Sequence, residues 1–176
     1  MKSIVQNGDP VLRELAQTVP VKDITSPRIQ EIIKDMQEAL ATQDDGVAIA
    51  APQIGIPFRI FVVSDAVLRE ADEDYKSTGK DLIFINPEIT KLSREKNPTE
   101  EGCLSVRWKY GKVLRSIKAT IQGYDENGEK VERGASGLLA QVFQHETDHL
   151  DGVLFIDKAY DVQDIPPEEV AKGKKK

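Results

Sequence analysis

A chain of 176 residues, 39% of them apolar, has the length of one domain with one sizeable core, since domains run to about 100–200 residues and a chain near 150 buries roughly 70% of its unfolded surface. Thirty acidic against 24 basic residues leave a formal net charge of −6, which argues against a protein built to grip phosphate backbones, specific DNA included, because that needs a concentrated basic face. One cysteine excludes an intramolecular disulfide, and there is neither an N-terminal apolar h-region nor a long apolar run, so no membrane partner is expected and the expected address is the cytoplasm.

Along the chain, Ser26-Pro27 followed by Ile29, Ile32, Ile33, Met36 and Leu40 predicts an amphipathic helix with a hydroxyl N-cap and a first-turn proline, ending before Asp45-Gly46. The apolar runs 60–63 and 82–85 predict two buried strands, the second stopping at Asn86-Pro87. Residues 66–80 and 91–99 are polar and without period, which predicts exposed loops. Ile117, Ala119 and Ile121 alternate with polar neighbours, and Asn127-Gly128 precedes 130–133, which predicts a hairpin with one buried face. Leu138, Leu139, Val142, Phe143 and Leu150 fall at helical spacing within 136–150, and Asp151-Gly152 supplies the stop. Residues 1–165 are expected to form a single domain and 166–176 a charged tail rich in lysine.

Within the last predicted helix, His145-Glu146-Thr147-Asp148-His149 is H-E-x-x-H. A step of four residues sets two imidazoles on one helical face a turn apart, in reach of one cation, with the Glu beside them to handle a proton of activated water. These are the only histidines in the chain; the alternative is a solvated or capping pair. A catalytic zinc-type centre takes three protein ligands and leaves a position open. Cys103, in Glu101-Gly102-Cys103-Leu104-Ser105, suits zinc, iron, cobalt or nickel beside two imidazoles, although a lone cysteine is more often core. Glu169 is the rival, and spacing does not choose between them. A third segment, 46–55, is made of small residues ending in Gln53-Ile54-Gly55. Small side chains let an extended ligand approach backbone groups, and Gln53 can donate to a developing oxyanion; a tightly packed turn is the plainer account.

Taken together, 46–53 (GVAIAAPQ), 101–105 (EGCLS) and 144–149 (QHETDH) resemble the three ordered motifs of the peptide deformylases, G-x-G-x-A-A-x-Q, E-G-C-L-S and Q-H-E-x-D-H. The resemblance continues through 8–13, 85–87 and 150–155, and so covers nearly the whole chain apart from the tail. It implies an α+β fold, mostly antiparallel sheets packed around a central helix that carries H-E-x-x-H. It also implies hydrolysis of the N-formyl group from the N-terminal formylmethionine of nascent polypeptides, with release of formate. By resemblance, Cys103, His145 and His149 are metal ligands and Glu146 is the general acid/base acting with a metal-bound hydroxide nucleophile. The Gln53 amide and the Leu104 N–H form the oxyanion site, and Glu101 pairs with Arg115 to hold the ligand loop. One divalent ion per chain is implied, Fe(II) as the native ion with Zn(II), Ni(II) or Co(II) also suited.

Helical spacing puts Leu138 and Val142 on the face of the two histidines, and with Val47 they are expected to take the methionine side chain, Gly46 and Ala48 completing the cleft wall. Two residues depart from the family pattern: Ala48 stands for the second glycine of the first motif and Arg107 for the proline that commonly follows the second. Both bear on which peptides fit rather than on the reaction. The lysines of the tail, Lys172, Lys174, Lys175 and Lys176, suit a transient ribosome contact. The competing readings are an H-E-x-x-H metallopeptidase using Glu169, and a catalytically silent binder of formyl peptides or ribosomes, against which the retained Glu146 argues.

Overall fold

The computed structural model describes residues 2–168. Ser26 begins the first helix, α1 (Pro27–Ala41), where its Oγ accepts the Ile29 N–H at 3.5 Å and Pro27 occupies the first turn. The apolar stripe Ile29, Ile32, Ile33, Met36 and Leu40 is buried, each side chain contributing about 1.5–3 kcal/mol at most. It packs on a five-stranded sheet of β1 (Ala48–Ala50), β2 (Ile60–Val63), β3 (Leu82–Leu92), β6 (Lys118–Tyr124) and β7 (Lys130–Ser136), in the order β1-β2-β3-β6-β7. Every neighbouring pair is antiparallel.

On the other face lies α3 (Gly137–Leu150). Strand β2 reads as an unbroken apolar run because alternate residues serve two cores. Ile60 and Val62 join α1, whereas Phe61 and Val63 join Leu139, Val142, Phe143 and Leu150 of α3. Three-stranded order β4-β5-β8, from β4 (Lys96–Gly102), β5 (Lys109–Ser116) and β8 (Tyr160–Asp164), forms a second antiparallel sheet. Leu12, Val106, Val113, Leu154 and Phe155 make a third cluster. The architecture is α+β with mostly antiparallel sheets, and the helix carrying H-E-x-x-H lies against the inner face of the larger one.

The end of α3 is set by a close approach. Gly152 has φ +73°, and a Cβ there would lie 2.6 Å from the Arg13 carbonyl oxygen, so only glycine lets the chain turn back beneath the N-terminal segment. The expected hairpin is β6–β7, with Ala119 and Ile121 buried. Its turn is organised by Asp125, whose carboxylate accepts the N–H groups of Asn127 and Glu129 at 2.9 Å each.

Three expectations are corrected. β3 does not stop at Asn86-Pro87 but runs on to Leu92 past an irregularity between Ile85 and Glu88. Asn86 takes φ 52°, its N–H bonds the Arg59 carbonyl at 2.8 Å, and its side chain bonds the N–H and carbonyl of Val19 at 2.8 Å each. Residues 91–99 are not a loop: they contain the end of β3 and the start of β4, and their polarity reflects solvent-facing strands. Residues 66–80 are not wholly irregular either. Ser64 Oγ accepts the Val67 N–H at 3.3 Å and opens a short helix, α2 (Asp65–Ala71). The following chain folds back on the buried Asp65 carboxylate, which accepts from Tyr75 Oη at 2.7 Å, Ser77 Oγ at 2.6 Å and the Thr78 N–H at 2.9 Å. No helix among the described residues is long and apolar enough to cross a membrane. Glu169 and the lysines of the tail lie outside the described residues.

Candidate metal centre

Helix α3 presents His145 and His149 one turn apart, with ring centroids 5.0 Å from one another. Cys103 comes from the other sheet, one residue beyond the end of β4, in a turn where the Val106 N–H bonds the Cys103 carbonyl at 3.1 Å. The ligand atoms of Cys103, His145 and His149 all lie within 4.8 Å of one another, and Cys103 Sγ is 3.3 Å from His149 Nε2.

The donor set fits one divalent ion. His145 Nδ1 is taken by Glu101 Oε2 at 2.8 Å, which frees Nε2 for an ion and orients the ring, the usual arrangement around a ligating histidine. His149 turns Nε2 to the sulfur and leaves Nδ1 buried without a protein partner among the described residues. Burial opposes a charge on His145, but its hydrogen bonds to Cys103 and Glu101 outweigh it and raise the imidazole well above its ordinary range. Burial and the neighbouring His145 push His149 well below it. Two imidazoles and one cysteine sulfur thus face one small volume.

Behind the ligands stands a buried ionic framework. Arg115 meets Glu101 with two bonds, Nε to Oε1 at 2.6 Å and Nη2 to Oε2 at 3.0 Å, and donates through Nη1 to Asp148 at 2.7 Å. Asp148 also accepts from Lys158 Nζ at 2.7 Å. Glu101 and Arg115 are each 4% exposed, so the pair is interior rather than a surface contact. Burial opposes the Glu101 charge, but the bonds from His145 and Arg115 outweigh it and hold the carboxyl at about 2.

Glu146 points into the site with Oε2 buried and without a partner among the described residues, and burial pushes its carboxyl up to about 7. Gln53 is 1% exposed. Its Oε1 accepts the Ala50 N–H at 2.8 Å, which aims Nε2 at Ser105 Oγ, 3.2 Å away, and at Cys103 Sγ, 3.5 Å away. Leu104 is buried beside the cysteine, its carbonyl accepting from Gln6 Nε2 at 3.0 Å. A cleft of about 300 Å³ opens over this group. Gly46, Val47 and Ala48 form one wall, Leu138 and Val142 of α3 another, and Cys103 and Leu104 a third. Gly102 adjoins that third wall, and a Cβ there would fall 2.7 Å from the Tyr110 ring, which would have to shift.

Several supporting residues carry no sequence-level spacing rule. Ser105 bonds both Gln53 and, through its N–H at 3.4 Å, Cys103 Sγ. The N-terminal strap ties the two loops together, Val5 N–H to the Gln53 carbonyl at 2.9 Å and Asn7 N–H to the Ser105 carbonyl at 2.7 Å. Gln144 uses its amide as a strand would, accepting the Ser116 N–H at 3.0 Å and donating to the Ser116 carbonyl at 2.9 Å. Asp148 and Gln144 sit inside the histidine motif, and an acid or amide flanking ligands is the one signal that points to them.

A family model described as polypeptide deformylase matches residues 1–164. The chain belongs to the polypeptide deformylase family. It is 42% identical over 157 residues to a peptide deformylase of Carboxydothermus hydrogenoformans, covering 89% of this chain and 91% of that protein. To the chloroplastic peptide deformylase 1A of Solanum lycopersicum it is 40% identical over 166 residues, covering 90% of this chain. The chain spans about three fifths of the length of the plant relatives it matches. Among solved structures, a class I type b peptide deformylase of Acinetobacter baumannii with Met-Ala-Ser bound superposes with a TM-score of 0.79 at 31% identity, covering 89% of this chain and 98% of that one.

Proposed function

We propose that the chain hydrolyses the N-formyl group from the N-terminal formylmethionine of nascent polypeptides and releases formate. The observation that carries this reading is the convergence of Cys103, His145 and His149 beside Glu146, whose buried Oε2 has no partner among the described residues, at the floor of a largely apolar cleft. Cys103, His145 and His149 would hold one divalent ion, whose chemistry is to lower the pKa of a water from 15.7 to about 7, so that a strong nucleophile exists at neutral pH.

The remaining steps belong to side chains. Glu146 takes the proton of the attacking water on its carboxylate and gives it to the nitrogen of the leaving amine, so one residue serves as base and then acid. As the formyl carbonyl carbon becomes tetrahedral, its oxygen gains negative charge. The Gln53 amide, fixed by Ala50, and the Leu104 N–H are the donors we assign to it; loss of one such donor typically costs about 10²–10³-fold in rate. Val47, Leu138 and Val142 would enclose the methionine side chain, with Gly46 and Ala48 lying along its backbone. Glu101 and Arg115 hold His145 in place.

The thiolate and two imidazoles accept several first-row ions, and we assign Fe(II) as the native one, with Zn(II), Ni(II) and Co(II) able to replace it. Nascent chains are the substrate, so we infer that the enzyme works in the cytoplasm. The lysines at 172 and 174–176 would touch the ribosome transiently; co-sedimentation with ribosomes that is insensitive to deleting them counts against that contact.

The test of the reaction is formate release from formyl-Met-Ala by protein purified without oxygen and reloaded with Fe(II), Ni(II) or Zn(II), beside Glu146→Ala. We expect release by the parent and a loss of at least about 10²-fold in the variant at equal metal content. Metal bound at one ion per chain with no release under any loading rejects the activity.

A further inference from the structure

Arg107 lies on one wall of the cleft and reaches across to another. Its Nη1 donates to Asp45 Oδ2 at 2.6 Å and its Nη2 to Gln43 Oε1 at 2.8 Å, while its guanidinium sits 4.7 Å from the centroid of the Trp108 ring. Asp45 belongs to the link between α1 and β1, and Arg107 to the turn between β4 and β5. Those strands lie in different sheets, so strand pairing does not set the distance between the two segments at this point.

Asp45, Arg107 and Trp108 line the same cleft as Cys103 and Glu146. The side chains of Arg107 and Asp45 are 20% and 24% exposed. A pair so placed is at the rim: sheltered enough to escape the full screening of an exposed ion pair, yet wet enough to open. Another wall is apolar and helical, formed by Leu138 and Val142 of α3, and cannot yield in the same way.

We propose that the Arg107 clasp on Asp45 and Gln43 determines how the enzyme accepts the peptide beyond its first residue. The inference rests on the hydrolase reading of the site. The apolar recess takes the first side chain, so the rest of the peptide leaves through the rim, where Arg107 adds an ion pair and an amide contact to the ties that Gln53 and the N-terminal strap already make between the two loop segments. Arg107 is therefore a specificity-determining residue that acts through wall position, with no part in the proton transfers.

The experiment compares formate release from formyl-Met-Ala and formyl-Met-Ala-Ser by the metal-reloaded parent, Arg107→Ala, Asp45→Asn and the reversed pair Arg107→Asp with Asp45→Arg. Opening the clasp is expected to raise KM for the longer peptide about tenfold with kcat within about twofold, to move KM for the shorter one less than about twofold, and to be reversed substantially in the charge-swapped pair. Asp45→Asn keeps side-chain volume and carries the test if Arg107→Ala does not fold. Equal rises for both peptides, or no recovery in the swapped pair, overturn the clasp. No release by the parent overturns the hydrolase reading instead. Trp108, the chain's one tryptophan, then decides the clasp by fluorescence titration with unformylated Met-Ala-Ser: Kd weakened about tenfold in Asp45→Asn supports it, and equal values overturn it.

Discussion

Arg115 on β5 joins Glu101, near the end of the neighbouring strand β4, to Asp148 on the ligand helix. Its charge is buried and matched from both sides, so removing it leaves two carboxylates short of a partner inside the protein, a much larger perturbation than losing a surface pair. Arg115→Ala is expected to lower metal affinity about 10–100-fold, measured by competition with a chelating dye, because Glu101 then no longer holds His145 in one orientation. Arg115→Lys should fall between, since an ammonium keeps the charge but not the two-bond fork. Unchanged affinity in Arg115→Ala would show that the framework supports the fold and leaves the ligands alone. At this scale the histidines and Glu146 were legible from the residues, as a step of four on a helix is a geometric statement in itself. The choice of Cys103 was not legible from spacing, and rested on resemblance, because nothing along the chain says which loop meets the helix.

Among the elements, those with a buried apolar face were readable and those with mainly polar faces were not. The first helix announces itself through Ser26, Pro27 and a stripe of five apolar residues, and the ligand helix through the same period. The strand at 96–102 has one fully buried residue, Glu101, which is charged, so its composition mimics a loop. Short helix α2 buries only Leu68 and Asp65, too little to make a period.

Asp65 nevertheless organises the segment that follows α2. Hydrogen bonds from Ser77, Tyr75 and Thr78 outweigh burial and hold its carboxyl at about 2, while burial and Asp65 push Tyr75 up to about 12. Because the folded value lies below the ordinary 3.8, the ionised form is bound more tightly in the fold. The stabilisation is fully present above pH 4 and is lost as pH falls through about 2. Asp65→Asn is expected to cost about 2 kcal/mol at pH 7, a fall of about 4–8 °C in Tm, and to flatten the decline in stability between pH 4 and 2. Thermal melts of the two proteins across that range check it; parallel curves would mean that the carboxylate does not anchor this segment.

At the scale of the whole molecule, a five-stranded sheet lies between α1 and α3, and a smaller sheet carries the cysteine. The continuous apolar runs at 60–63 and 82–85 are explained by this layering, since both faces of the central strands are covered. Local order was determined by the sequence alone: two amphipathic helices, a hairpin, an absence of disulfides, and two histidines one helical turn apart with a glutamate beside them. Each follows from interactions within a few residues, where periodicity, capping and turn chemistry act. Tertiary structure decided which distant loop supplies the sulfur at the candidate centre, that Glu101 and Arg115 are buried together, that polar 96–102 is a strand, and that Arg107 crosses the cleft to Asp45. Those outcomes depend on which faces pack and on charges matched away from water, and both are set by the assembled fold rather than by neighbours in the chain.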